Sequence, residues 1–220
     1  MINTELVKVY EGQLFHMSSV FGLRRSLPIV PISDGLWIAS DAGLVLSDAE
    51  FIRRAGVEVA RAIGRYRPEI VVTAETKAIA MTYEVTRNLG LNRFVVVRKS
   101  VKGYMRDYIT EGVNSITTRE PQVLVLTIDD SEFIRGRRVC LFDDVVSTGS
   151  TMNALERLVE RVGGEVACRA CIWREGPWYT SNDLLFFDSL PIYMSRELYN
   201  KFVSKTPSEA VSNERNSLQV

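Results

Sequence analysis

The chain has 220 residues, 46% of them hydrophobic and 25% charged, and its 27 Lys plus Arg balance 27 Asp plus Glu. That length suits one domain with a substantial core and room for a small subdomain, and that composition excludes a disordered chain. No basic excess points to nucleic acid, no apolar run approaches membrane-span length, and Met1-Ile2-Asn3-Thr4-Glu5 lacks the basic and apolar regions of a signal peptide, so a cytoplasmic enzyme is expected.

Residues 1–45 scatter apolar residues among the breakers Pro28, Pro31, Gly35 and Gly43 with no long period, and read as an extended covering segment. Ser47-Asp48-Ala49-Glu50 reads as a capping box, after which Phe51, Ile52, Ala55, Val59, Ala62 and Ile63 recur at helical spacing up to Gly64. Ile70-Val71-Val72 is a buried-strand run. It leads into a polar turn, Thr73-Ala74-Glu75-Thr76-Lys77, and a helix to about Leu89. Phe94 to Val97 is the next strand and ends in Arg98-Lys99. Residues 100–118 turn polar, with Lys102, Tyr104 and Arg106 among them, before Val123 to Leu126 returns to a strand-like run.

The segment from Val139 to Thr151 carries the most chemistry. Val139 to Phe142 suit a buried strand; Asp143 and Asp144 follow where it is expected to end. The small-residue turn Ser147-Thr148-Gly149-Ser150-Thr151 precedes a helix with Met152, Leu155, Leu158, Val159 and Val162 on one face. Free backbone N–H groups and the positive end of a helix dipole converge at such a turn and suit a phosphate. The acids add acceptors for neighbouring hydroxyls, and a phosphate beside a diol is the 5-phosphate end of a ribose. The pattern is not a Walker A loop, because no Lys follows the glycine and the acids precede the turn. Two consecutive carboxylates at a buried strand end are costly without partners.

Past Gly163-Gly164, residues 165–173 read as a strand carrying Cys168 and Cys171. An offset of three on a strand sends those thiols to opposite faces, and His16 is the only histidine, so structural cysteines are expected rather than a metal site. Three cysteines do not make a disulfide scaffold in a chain of this size. Phe186-Phe187 and Leu190 to Tyr193 are the last apolar runs, and residues 207–220, rich in Ser, Asn and Glu, are expected to be disordered. Strands alternating with helices imply an α/β fold, a mainly parallel sheet with helices on both faces and ligands at the carboxyl ends of its strands. Three polar turns fall at such ends: 74–77, 98–102 and 143–151.

The apolar strand, two acids, two apolar residues and the Thr148-Gly149-Ser150-Thr151 turn resemble the phosphoribosyl-diphosphate (PRPP) signature of the type I phosphoribosyltransferases. Val72 to Ile79 resembles the diphosphate loop of the purine branch. Val95 to Lys99 resembles the Arg-Lys strand end of its adenine, xanthine and archaeal hypoxanthine/guanine members. Pro31 to Trp37 is similar to their amino-terminal hood. The resemblance implies a phosphoribosyltransferase core over 46–195, a hood segment over 1–45 and a carboxyl-terminal extension over 196–220. It also implies purine salvage, in which a free purine base displaces diphosphate from PRPP. Asp143 and Asp144 would hold the ribose hydroxyls and, through water, Mg2+. Ser147, Thr148, Gly149, Ser150 and Thr151 would hold the 5-phosphate. Ala74, Glu75, Thr76, Lys77, Arg98, Lys99 and Lys102 would contact the diphosphate, with 100–118 as the mobile loop. Trp37 and Trp173 are the candidates for contact with the base. A homodimer is expected, and neither nucleic acid nor a membrane as partner. Classical hypoxanthine/guanine members carry a third Asp where Ser147 stands, and a hydroxyl is a poor general base. A second reading stays open: a PRPP-sensing regulator or non-catalytic PRPP-binding protein.

Overall fold

The computed structural model describes residues 6–113 and 122–204. In chain order the amino-terminal segment forms β1 (Val7–Val9), β2 (Phe15–Val20), β3 (Leu23–Ser33) and β4 (Leu36–Ala39). Helices α1 (Ala42–Ser47) and α2 (Ala49–Gly64) lead to β5 (Ile70–Ala74), α3 (Ile79–Asn88) and β6 (Val95–Val97). A hairpin-like pair, β7 (Tyr108–Val113) and β8 (Gln122–Thr127), precedes α4 (Ile128–Ile134). The remainder is β9 (Arg138–Val146), α5 (Ser150–Arg161), β10 (Glu165–Glu175), β11 (Leu184–Leu190), β12 (Ile192–Met194) and α6 (Arg196–Ser204). No helix among the described residues is long and apolar enough to cross a membrane.

Five strands make a fully parallel sheet in the order β11-β10-β9-β5-β6. Their continuous apolar runs follow from burial on both faces, and the period of two sorts the side chains between two cores. Val71, Cys140, Phe142, Ala170 and Ile172 pack with α2 and α3; Ile70, Val72, Val139, Leu141 and Cys171 pack with α5. Cys168 and Cys171 accordingly face opposite sides. The bridge between Cys140 and Cys168 was not anticipated from the sequence; the two are register partners on β9 and β10. Their sequence separation of 28 hides a contact that only the strand pairing creates.

The segment over 1–45 is not merely extended. Its four strands join β12 in a second sheet, β1-β12-β4-β3-β2, antiparallel except for the β1–β12 pair. Breakers hid these strands: Pro28 and Pro31 both lie inside β3, where the ladder tolerates an irregularity between Pro31 and Ser33. The expected capping box is also different in detail. Ser47 closes α1 and donates to the Gly43 carbonyl, so Asp48 caps α2 by accepting from the Phe51 amide at 2.9 Å. Glu50 does not reach back to the cap. With Asp48 it grips Arg25 of β3, at 2.8 and 2.9 Å, tying the second sheet to α2.

Segment 100–118 proves only partly loop, because residues 108–113 pair with β8; residues 114–118 and 207–220 lie outside the described residues. Helices α2 and α3 cross at close range over Gly56, where an added Cβ would sit 2.4 Å from the Glu84 Cβ and 3.1 Å from its carbonyl carbon. Gly56→Ala should therefore destabilise by about 1–3 kcal/mol despite the better helix propensity of Ala. A calorimetric melt should show a Tm several degrees lower, and a Tm at or above that of the parent would count against this packing.

Candidate active site

Because the sheet is parallel, the carboxyl ends of β5, β6, β9 and β10 share one edge, with Ala74 level with Val97 and Val146 level with Arg174. The sequence placed the acid pair after the end of its strand. The structure carries β9 on to Val146, since Asp143 pairs in register with Cys171 and Val145 with Trp173. The acids thus lie within the last turn of the ladder, and alternation aims them to opposite sides of it. Asp144 is buried, with Asp143 partly open to a cavity of about 310 Å³.

That cavity brings together most of the residues singled out by sequence. Asp143, Asp144 and the whole 147–151 turn line it, as do Glu75, Thr76, Lys77 and Lys99. Gly149 takes the left-handed conformation (φ 81°) that turns the strand into α5 and, as the N-cap, offers no side-chain acceptor; the Ser150 amide reaches the Thr148 hydroxyl at 3.4 Å. The Thr148 and Ser150 hydroxyls lie 2.8 Å apart beside that amide. Such a helix start, with free amides beside hydroxyls, suits an anionic group.

Four of the named residues stand elsewhere. Ala74 is the buried last residue of β5. Arg98 pairs with Glu75 at 3.1 Å, and Lys102 donates to the Ser100 hydroxyl at 2.6 Å. Trp37 is stacked on Tyr10, ring centroids 4.1 Å apart. None of the four lines the cavity. Trp173 does line it, while its ring lies stacked against Phe51 at 5.5 Å and its indole N–H donates to Ser18. Glu75 braces the loop after β5: it accepts from the Lys99 amide at 3.0 Å as well as from Arg98. Those bonds hold its carboxyl below the usual range, led by the Lys99 amide.

The electrostatics centre on Lys77, whose ammonium meets Asp144 at 3.0 Å. Burial works against that charge, yet Asp144, Asp143 and Glu175 outweigh it and raise the lysine pKa. Burial, then the neighbouring Asp144 charge, pushes Asp143 well above the carboxylate range. The sequence puts Glu175 in the 173–176 segment, whose counterpart in the family it resembles reaches the base or pyrophosphate site, but gives it no role of its own. It is 6% exposed at the end of β10 and lines the same cavity. Burial pushes Glu175 up to about 7, against the pull of Lys77 and Ser147. Trp178, beside Ile32, Leu36 and Ile38 on the cavity wall, also went unremarked.

A parallel α/β sheet with a phosphate-type turn, an acid pair and a cationic loop on one edge defines a nucleotide- or sugar-phosphate-handling enzyme. The phosphoribosyl transferase domain family matches residues 50–184. The adenine phosphoribosyltransferase of Thermotoga neapolitana is 31% identical over 146 residues, 66% of this chain and 81% of that one. Its Rhodospirillum rubrum counterpart is 27% identical over 137 residues, 60% of this chain and 74% of that one. The crystal structure of the Rhodothermus marinus adenine phosphoribosyltransferase shares the fold, with a TM-score of 0.57, 23% identity and coverage of 80% of this chain and 94% of that one. The chain belongs to the phosphoribosyl transferase domain family, as a type I phosphoribosyltransferase of the purine branch. It is a glycosyltransferase that moves a phosphoribosyl group.

Glu175 makes the site's electrostatics measurable. Its folded-state pKa lies above the ordinary 4.5, so between about pH 4.5 and 7 the folded protein binds more protons than the unfolded chain. Stability from this group is complete below that window and is lost as pH rises through it, by up to about 3 kcal/mol. Denaturant titrations from pH 5 to 8 should show that decline, and Glu175→Gln should flatten it. Equal slopes in parent and variant would remove Glu175 as its source.

Proposed function

We propose that this protein joins a free purine base to PRPP, releasing diphosphate and forming a nucleoside monophosphate. The observation that carries the reading is one cavity lined by the 147–151 turn, the acid pair, the Lys77 loop and the apolar wall of Ile32, Leu36, Ile38 and Trp178. A 5-phosphate, a ribose diol, a diphosphate and a flat base need those four kinds of surroundings in one cavity. The adenine phosphoribosyltransferases among its relatives support a purine, with adenine the first base to test.

In this reading a ring nitrogen of the base forms the new bond to the anomeric carbon while the carbon–oxygen bond to diphosphate breaks, its electron pair leaving with the diphosphate and the N–H proton of the base passing to water. The sugar becomes cation-like and the leaving group gains charge, so stabilisation of charge rather than proton transfer is the main demand. Lys77 and Lys99 neutralise the diphosphate. Asp143 and Asp144 accept hydrogen bonds from the ribose hydroxyls, and the turn fixes the 5-phosphate while the anomeric carbon moves. Ser147 stands where classical hypoxanthine/guanine members carry a third Asp, so no acid at that position exchanges a proton with the base.

Among the described residues no group of three or more His, Cys, Asp or Glu side chains forms a metal site. Asp143 and Asp144 are hard oxygen donors that fit Mg2+ through its retained waters, with the diphosphate as the main ligand. When bound, the ion neutralises the leaving diphosphate. We further propose a homodimer, and a functional division into hood (1–45), core (46–195) and extension (196–220).

Incubation with PRPP, Mg2+ and each of adenine, hypoxanthine, guanine, xanthine, uracil and orotate should release diphosphate with a purine, adenine first. Release with a pyrimidine alone would overturn the purine assignment; binding of PRPP with no turnover on any base would favour a sensor. Excess EDTA should stop turnover and leave the Tm unchanged. Asp143→Asn removes a charge that burial and Asp144 already oppose, so folding should be unharmed. Turnover should nevertheless fall about ten- to a hundredfold, because a hydrogen bond to a charged group is worth about 1.5–3 kcal/mol. Parent-level turnover by a folded Asp143→Asn protein would take the acid pair out of the mechanism.

A further inference from the structure

The turn between β9 and α5 is covered by a side chain with no assigned part in the reaction. A Cβ placed on Gly149 would sit 2.6 Å from both Cδ2 and Cε2 of Tyr179, so the aromatic ring lies directly on the backbone of that glycine. Tyr179 is 8% exposed and packs in the α5-side core. Its hydroxyl donates to Asp183 at 2.7 Å, and the other oxygen of that carboxylate meets Arg169 of β10 at 3.1 Å. Arg169 also pairs with Glu156, on α5 itself. The contacts therefore close a circuit: α5 through Glu156 to Arg169, to Asp183, to Tyr179, and back to the residue that starts α5.

Inside the turn the Thr148 and Ser150 hydroxyls meet at 2.8 Å and the Ser150 amide reaches Thr148 at 3.4 Å, and the circuit adds a hold from outside. Gly149 is in the left-handed region, glycine resists such fixation entropically, and α5 has no side-chain cap. The amides of the first turn beyond Ser150 find no side-chain acceptor among the described residues, which favours reorganisation of the turn. A flat ring on the outer side of Gly149 opposes such movement and leaves the inner side free for a ligand. Nothing but glycine fits beneath it, which ties the two residues together.

We propose that Tyr179 is a positioning residue that holds the 147–151 turn ready to receive the 5-phosphate of the phosphoribosyl donor. Tyr179 does not line the cavity, so its effect falls on sugar-phosphate binding through the turn it covers. The proposal rests on the reading that this turn takes that phosphate.

The test uses the full chain with Tyr179→Ala, Tyr179→Phe and Asp183→Asn, measuring ribose 5-phosphate affinity by calorimetry, KM for PRPP and for the base, and kcat. Tyr179→Ala should weaken ribose 5-phosphate and raise KM for PRPP about tenfold or more, with KM for the base and kcat within twofold of the parent. Tyr179→Phe keeps the ring and should restore most of the loss. Asp183→Asn, which loosens the anchor and spares the core, should raise KM for PRPP about threefold and decides the matter if Tyr179→Ala does not fold. Unchanged ribose 5-phosphate affinity in a folded Tyr179→Ala protein, or in Asp183→Asn should that protein not fold, overturns the clamp. So does a parallel fall in kcat and in the use of both substrates. If the parent itself binds PRPP but not ribose 5-phosphate, the assignment of the phosphate turn fails first and the clamp with it.

Discussion

The structure turns on the contact of Lys77 with Asp144. A buried carboxylate beside a second carboxylate is tolerable only if a cation lies near, and Lys77 supplies it at 3.0 Å from the loop after β5. That pairing joins the loop to the end of β9, two elements about 70 residues apart in the chain. Because β5 and β9 are parallel neighbours, the meeting occurs at the carboxyl edge of the sheet. The same ammonium then faces Asp143 and Glu175 as well, so one charge governs three acids.

Around that pair the fold supplies rigidity in layers. The two cores on either face of the sheet fix β9 and β10, whose last residues carry Asp143, Asp144 and Glu175. Glu75 binds the loop of Lys77 to the end of β6 through Arg98 and the Lys99 amide. Arg25 binds the second sheet to the start of α2 through Asp48 and Glu50, and so sets where Ile32, Leu36 and Ile38 meet the cavity. A site assembled from four strand ends and a separate sheet holds its geometry through such cross-ties, since no single element carries more than a part of it.

The division of labour between charged and apolar walls follows from the chemistry of a phosphoribosyl transfer. In the proposed reading, anionic parts of the donor would be met by backbone amides and lysines, and a flat base by Trp178 and aliphatic side chains. In this arrangement Arg98 serves the scaffold, because Glu75 claims its guanidinium. Trp37 serves the second sheet, because Tyr10 covers its ring. The strand-end position of Arg98 and the hood position of Trp37 suggested ligand roles, and in this structure neighbouring side chains hold both.

The sequence by itself determined the parallel α/β class, the order of the core elements and the 143–151 motif. Each of these is written in local pattern: continuous apolar strand runs, helical spacing, and acids next to a small-residue turn. It did not reveal that residues 1–45 form four strands, since their pairing partners lie on β3, β4 and the distant β12, and Pro28 and Pro31 mask the period. Nor did it show that β9 runs on through the acids, that Cys140 meets Cys168, or that Glu175 joins the site. All three depend on register between strands, which a chain cannot declare residue by residue. Lys77 was legible as a candidate cation from its place after a strand. Only the tertiary structure decided that its first partner is Asp144, because a Coulomb contact depends on distance and burial rather than on position in the chain.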